Sequence, residues 1–300
     1  MISLSIRHKT RYRYHSSVVF GPHRLMLRPR ESRELRLTGF ELTVTPQASL
    51  NWAHDVWGNA VATTGFHTTG DTMTIDSVAQ IELDAVAWPV FDIAASAIVY
   101  PFRYSENEWT DLGALTTLQY PDPDGRLQAW ARGFVRGVTT DTLALLKDLG
   151  AGVADTVLYQ SRDEEGTQSP LATLDRGWGS CRDFAVLFAE AARCLGFGAR
   201  IVSGYLHAAV AGAVGAQATH AWAEVFVPGA GWITFDPTNR SVGSANLIPV
   251  AVARDILQVV PVSGSFVGAS DALLGMTVEV SVSEAERASA FGSPIIPRPA

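Results

Sequence analysis

The sequence predicts an α+β protein in which an antiparallel β domain precedes a core where one helix packs on an antiparallel sheet. Residues 1–95 alternate apolar and polar side chains with period two, most clearly over residues 36–44 and 73–83, without a sustained helical repeat. Beyond residue 126 the apolar spacing becomes helical, and strand patterns return after residue 199. The length of 300 residues is itself typical of about two domains.

Composition excludes several classes of protein. Lys and Arg number 23 against 30 Asp and Glu, and the resulting net charge of −7 argues against a nucleic-acid partner. Two cysteines are too few for a disulfide framework. No apolar run reaches the roughly 18 residues of a membrane span, so no membrane partner is expected. The first residues lack the apolar region of a signal peptide. We therefore expect a cytoplasmic protein, and the sequence specifies no oligomeric state.

The elements between the two parts follow from local patterns. Residues 96–125 are rich in Pro and Asp and predict a linker or crossover. Helical spacing predicts one helix over residues 126–134 and another over residues 140–160, where Gly150 and Gly152 make a break plausible. We assign residues 126–285 to the core, expect the alternating residues 276–283 to form its C-terminal strand, and expect a loose tail over residues 286–300.

The best-delimited helix spans residues 180–196. Ser180 is a favourable N-cap residue, Asp183 stands where a capping box needs an acceptor, and Gly196 is a typical stop. Residues 199–206 then predict a strand, and residues 212–218 a loop of small residues. Residues 219–227 and 231–236 predict a strand, a turn and a second strand.

Cys181 lies in the first turn of that helix. Backbone N–H groups and the helix dipole favour negative charge there, so the position suits a nucleophilic thiolate. The alternative is an inert thiol packed as a small apolar side chain. Cys194 fits that alternative, and thirteen residues of helix place it roughly 20 Å away, too far for a disulfide.

His220 and Asp236 are the candidate partners of Cys181, because a nucleophilic cysteine needs a base and a group that orients the base. If Phe226 faces Trp232 across the turn, His220 and Asp236 lie diagonally on one sheet face, within side-chain reach. The other register places them on opposite faces. Taken singly, His220 could be a hydrogen-bonded strand histidine, and Asp236 could start the turn before Pro237.

Four segments resemble motifs of the bacterial transglutaminase-like superfamily in order and spacing. They are residues 177–185 (GWGSCRDFA), 199–206 (ARIVSGYL), 219–225 (THAWAEV) and 231–239 (GWITFDPTN). Residues 1–90 resemble the β-rich N-terminal region that often precedes this core, and residues 250–282 resemble its C-terminal segment.

The resemblance implies a papain-like core with Cys181 as nucleophile, His220 as base and Asp236 as the orienting group. It implies amide chemistry through a thioester on a peptide or protein substrate, with water or a second amine as acceptor. Animal members use calcium, but no loop here has EF-hand spacing, and the histidines form no ligand pair. We therefore expect neither a cofactor nor a metal.

Three matters stay open at this point. The Cys181 N–H is the natural first oxyanion donor, and Trp178 is a candidate for the second. Trp222 is a candidate for lining the substrate cleft, and the alternative is that its ring simply packs in the fold. The reaction could be that of a peptidase or amidase, or that of an acyltransferase, depending on the cleft and on loops such as residues 212–218. A non-catalytic module that binds a peptide or partner on the same fold is the alternative to an enzyme.

Overall fold

The computed structural model describes residues 1–162, 166–207 and 218–285 and has the predicted α+β architecture. Residues 212–217 of the predicted loop and the predicted tail, residues 286–300, lie outside the described residues. The first sheet is seven-stranded and antiparallel. Its strands are β1 (Ile2–Leu25), β2 (Leu35–Thr45), β3 (Ala48–His54), β4 (Ala60–Phe66), β5 (Thr69–Leu83), β15 (Val262–Val267) and β16 (Leu273–Glu284).

Strand β1 organises the first sheet, because it pairs with β4, β5, β15 and β16. Its period-two pattern buries Leu4 and Ile6 on one face. These two side chains pack against Ile248 and Val250, which belong to the second sheet. The two sheets therefore share a hydrophobic contact.

The C-terminal strand is placed differently from the prediction. Strand β16 pairs with β1 along most of its length, with Val280 opposite His8, and so extends the first sheet instead of completing the core. Val280 is buried in the same cluster as Leu4 and Ile6. Alternation predicts that a segment is a strand and which face is apolar, but it does not specify the partner strand.

Short elements connect the two sheets. They are β6 (Val99–Tyr100), β7 (Thr140–Asp141), β8 (Leu158–Tyr159) and β9 (Trp178–Gly179), with helices α1 (Glu106–Leu112), α2 (Arg126–Arg132), α3 (Thr142–Thr156) and α4 (Pro170–Arg176). The predicted linker over residues 96–125 thus contains a helix. A capping box between Ser105 and Glu108 starts α1, which explains why a short helix forms in a Pro-rich region.

Helix α3 continues through Gly150 and Gly152, where the sequence made a break plausible. A Cβ added at Gly152 would lie 2.2 Å from a ring atom of Phe134, and one at Gly150 would lie 3.6 Å from Phe188. Gly152 therefore allows the Phe134 ring to approach the helix closely, and its cost in helix propensity is offset by this packing, whereas the distance at Gly150 is an ordinary van der Waals contact.

The second sheet is five-stranded and packs with helix α5 in the main hydrophobic core. Its strands are β10 (Ala199–Leu206), β11 (Thr219–Val227), β12 (Gly231–Asp236), β13 (Ser241–Val242) and β14 (Leu247–Ala253), in the order β13-β12-β11-β10-β14. Helix α5 (Cys181–Cys194) packs on this sheet, with Phe184 and Phe188 in one cluster with Ala221, Ala223 and Val225. None of the described helices is long and apolar enough to span a bilayer.

Asn59 joins the first sheet to the second. Its side chain is fully buried, and its Oδ1 accepts a hydrogen bond from Val252 N (2.9 Å) while its Nδ2 donates to Val252 O (2.8 Å). The amide therefore pairs with edge strand β14 as a neighbouring strand would. Arg30 Nη1 also donates to Asn59 Oδ1 at 2.6 Å.

We expect Asn59→Ala to lower the free energy of unfolding by about 3 kcal/mol, because it leaves two buried backbone groups of Val252 without partners. Urea unfolding measures the change. Asn51→Ala is the matched control, since Asn51 is exposed on neighbouring strand β3, and we expect it to cost less than about 0.5 kcal/mol. Equal small effects of the two substitutions would contradict the role of Asn59.

Candidate active site

Cys181 is the first residue of α5 and is nearly buried, with 9% of its surface exposed. Asp183 holds the helix start, because its Oδ2 accepts hydrogen bonds from Ser180 N (2.8 Å) and Ser180 Oγ (2.9 Å). The N–H groups of the first helical turn have no partner within the helix, so they present partial positive charge beside the sulfur.

His220 and Asp236 meet across the hairpin of β11 and β12. Phe226 pairs with Trp232, which confirms the predicted odd register. As expected from that register, His220 Nε2 lies 2.8 Å from Asp236 Oδ2, and both side chains are buried. Asp236 Oδ1 accepts from Thr238 N at 3.0 Å and Oδ2 accepts from Asn239 Nδ2 at 2.8 Å, so the carboxylate is held in one orientation.

The protonation of the His220 imidazole is governed by Asp236, by Cys181 and by burial. Burial opposes its charged form, but the hydrogen bond and charge of Asp236, together with the Cys181 thiol, outweigh burial and raise the pKa of His220 to about 10. Nδ1 is buried and makes no hydrogen bond of standard geometry within the described residues. The nitrogen that faces away from Asp236 is thus available for proton exchange at the sulfur.

Tyr159 is a site residue that the sequence analysis missed. Strand β8 pairs in parallel with β9, which places Tyr159 beside Gly179, two residues before the nucleophile candidate. Its ring packs edge-on against Phe184, with centroids 6.1 Å apart. Burial first, and then the charges of Cys181 and Asp236, raise the pKa of Tyr159. The backbone pairing with Gly179 thus places Tyr159 next to the start of α5.

The two tryptophan candidates occupy other places. Trp178 pairs with Leu158 in the β8–β9 bridge, and the Arg176 guanidinium lies 5.6 Å from the centre of its ring. Trp222 is 1% exposed and packs against Val202, so it does not line an open cleft. The centre of its ring lies 5.9 Å from that of the His220 ring, so the indole packs against the imidazole.

The position of Tyr159 had no signal in the sequence of residues 157–160, because it depends on pairing with the distant strand β9.

Metal-ligating side chains are dispersed over the part of the chain that the structure describes. No group of three or more His, Cys, Asp or Glu side chains there could hold a metal ion. The side chains at and beside the site are a thiol, an imidazole, a carboxylate and a phenol.

Two family models match the chain. Residues 4–82 match the bacterial transglutaminase-like N-terminal region, and residues 128–237 match the transglutaminase-like superfamily. The second match contains Cys181, His220 and Asp236.

Relatives cover nearly the whole chain. An uncharacterized protein of Mycobacterium tuberculosis is 26% identical over 291 residues, which is 92% of this chain and 91% of that protein. One from Mycobacterium leprae is 26% identical over 297 residues, which is 94% of this chain and 99% of that protein. Among solved structures, one from Cytophaga hutchinsonii named a "putative cysteine protease" covers 95% of this chain and 92% of its own, with a TM-score of 0.73 and 19% identity. At that identity the likeness shows a shared fold.

Proposed function

The chain belongs to the transglutaminase-like superfamily, and on that premise we propose that it breaks or exchanges amide bonds through a thioester on Cys181. The observation that supports this most directly is the hydrogen bond between His220 and Asp236, beside a cysteine at a helix N-terminus. A nucleophile, a base and an orienting carboxylate are the parts that thiol acyl transfer requires.

In the proposed reaction the Cys181 thiolate attacks the amide carbonyl carbon, and the carbonyl oxygen becomes an oxyanion. The Cys181 N–H and the Tyr159 hydroxyl are the proposed donors to that oxyanion, with Tyr159 in the role for which Trp178 was a candidate. Protonated His220 gives its Nδ1 proton to the leaving amine, and the C–N bond breaks to leave the thioester. Water or an amine then attacks the thioester carbon, and His220 takes the proton of the attacking group. The C–S bond breaks, which releases the acid or the new amide and restores the Cys181 thiolate beside protonated His220.

Asp236 has an orienting role in this scheme. Its carboxylate accepts from His220 Nε2, so the imidazole keeps Nδ1 toward the sulfur throughout the cycle. We propose a peptide or protein as the substrate, with hydrolysis as the main outcome and transfer to an amine as the alternative. The three retained groups argue against a module that only binds its partner, because binding alone does not need a charged imidazole beside a thiol.

Cys181 should react with iodoacetamide much faster than Cys194 near pH 7. Burial raises the pKa of Cys194 to about 12, so almost none of that thiol is ionised at neutral pH. Cys181 lies at a helix N-terminus, and in the proposed reaction His220 is the base that serves it. We expect a rate ratio of about 100 or more, measured by mass spectrometry of peptides that contain each cysteine.

Cys194 is an internal control, because both thiols belong to the same helix and to the same molecule. Equal alkylation rates of the folded protein would contradict an activated Cys181. Equal rates after unfolding in urea are expected, since both thiols then lose their surroundings.

A further inference from the structure

Asp183 makes more contacts than a helix cap needs. Its buried carboxylate accepts from Ser180, as a cap does, but also from Gln168 N (2.7 Å), Gln168 Nε2 (3.4 Å) and Arg162 Nη2 (3.2 Å). Gln168 and Arg162 lie before α4, far from α5 in the sequence. One carboxylate thus links the start of the nucleophile's helix to a separate segment.

Arg162 lies at the end of a segment that begins at Leu158. Backbone hydrogen bonds from Leu158 N to Gly177 O (2.8 Å) and from Gln160 N to Gly179 O (2.9 Å) hold its first residues to β9. Beyond them, Arg162 O accepts from Arg182 Nη2 at 3.3 Å. We call residues 158–162 the Tyr159 segment. Its contacts with the helix start are made through Asp183 and Arg182.

Strand β9 is packed directly on Asp183. A Cβ at Gly179 would lie 2.8 Å from the Cβ of Asp183, so only glycine permits this approach. Gln168 Nε2 also donates to Trp178 O at 3.2 Å. The carboxylate, strand β9 and the Tyr159 segment therefore form one close-packed unit next to Cys181.

We propose that Asp183 is a positioning residue that holds the hydroxyl of Tyr159 at its place beside Cys181, through the buried ion pair with Arg162 and the hydrogen bonds to Gln168. This inference rests on the proposed function, in which Tyr159 donates to the oxyanion. The Arg162 side chain is 11% exposed and that of Asp183 is fully buried, so water screens the pair little.

Asp183→Asn tests the proposal with little change in volume. An asparagine can still accept from Ser180, but its NH2 group replaces an oxygen that now faces donors from Arg162 and Gln168. The Tyr159 segment should loosen while the helix cap persists. We expect kcat to fall by about 30- to 100-fold with KM changed less than about threefold, because small displacements of a catalytic group act on the transition state.

A double-mutant cycle with Tyr159→Phe separates positioning from a general structural effect. If Asp183 acts through the Tyr159 hydroxyl, Asp183→Asn should lower kcat by less than about threefold in the Tyr159→Phe background. A full additional loss of about 30-fold or more in that background would overturn the proposal, as would unchanged kcat in Asp183→Asn alone.

Hydrogen exchange supplies a readout that needs no turnover. In Asp183→Asn and in Arg162→Gln, the amides of Leu158 and Gln160 should exchange about tenfold faster or more than in the wild type, and Arg162→Lys should restore part of the protection. Arg126→Gln is the matched control, because it breaks an exposed ion pair with Asp175. Unchanged protection of the Tyr159 segment would overturn the proposal, whereas faster exchange in a protein without any turnover would contradict only the proposed function.

Discussion

Replacing Cys181 with alanine is expected to abolish amide turnover while the fold persists. The sulfur is the atom that forms the thioester, and neither His220 nor Tyr159 can take its place as the acyl carrier in the proposed scheme. Loss of a nucleophile that acts as a unit with its base lowers kcat by on the order of 10⁵–10⁶. The side chain is small and lies at the helix start, so alanine leaves only a minor gap.

Peptide amides and glutamine-containing peptides with an added amine are suitable substrates for this measurement, with mass spectrometry detecting hydrolysis and transfer together. Cys194→Ala is the control, because that thiol is half-buried at the far end of the same helix, and its loss should change kcat by less than about twofold. Turnover that survives Cys181→Ala at a tenth of the wild-type rate would end the thioester mechanism. Circular dichroism and urea unfolding of both variants would exclude a loss of fold.

The hairpin that carries His220 and Asp236 could be predicted from sequence because its determinants are local. Ala221, Val225 and Ile233 are apolar, and they share one face only if the turn has the odd length that pairs Phe226 with Trp232. The requirement that these apolar side chains share one face therefore determines the register of the two strands. Since His220 and Asp236 occupy the other face, their meeting followed from the same alternation.

Pairings between distant segments could not be predicted in this way. The alternation in β16 specifies its apolar face, but nothing in residues 273–284 selects β1 as the partner. Tyr159 is similar, since its place beside Cys181 depends on a parallel bridge between β8 and β9. Such contacts are set by how the two sheets and α5 fill space together, which no single window of the sequence contains.

Some local signals were present in the sequence but weak. Ser169 followed by Pro170 is a favourable start for α4, and Ser105 with Glu108 forms the box that starts α1. Both helices are short, so their apolar periodicity spans too few residues to be distinguished from a loop. Capping residues therefore indicate where a helix can begin better than whether one forms.

Asp236→Asn should lower kcat by about 10³- to 10⁴-fold, because an amide can donate to His220 Nε2 and so favour the wrong tautomer of the imidazole. In the wild type, Asp236 is the main reason that the charged form of the buried His220 persists, despite the opposing effect of burial. Without the carboxylate charge, burial dominates and the pKa of His220 should fall below its usual range. The thiolate then loses its cationic partner near neutral pH.

The pKa of His220 determines the direction in which the pH profile of kcat/KM should move in this variant. In the wild type the imidazolium persists until the pH approaches the His220 pKa of about 10, so kcat/KM should fall only as the pH rises through that region. Since this pKa is raised above the value of 6.5 for an ordinary histidine, the pair also contributes stability that is fully present below pH 6.5 and lost as the pH rises toward 10.

In Asp236→Asn the basic limb of the kcat/KM profile should move to lower pH by several units, and Tm should no longer decline between about pH 7 and 10. Glu224→Gln is the control, because Glu224 lies on the same strand but pairs with Arg200, and it should leave the limb in place. A basic limb that stays near pH 10 in Asp236→Asn would mean that another group, and not the Asp236 carboxylate, keeps His220 protonated.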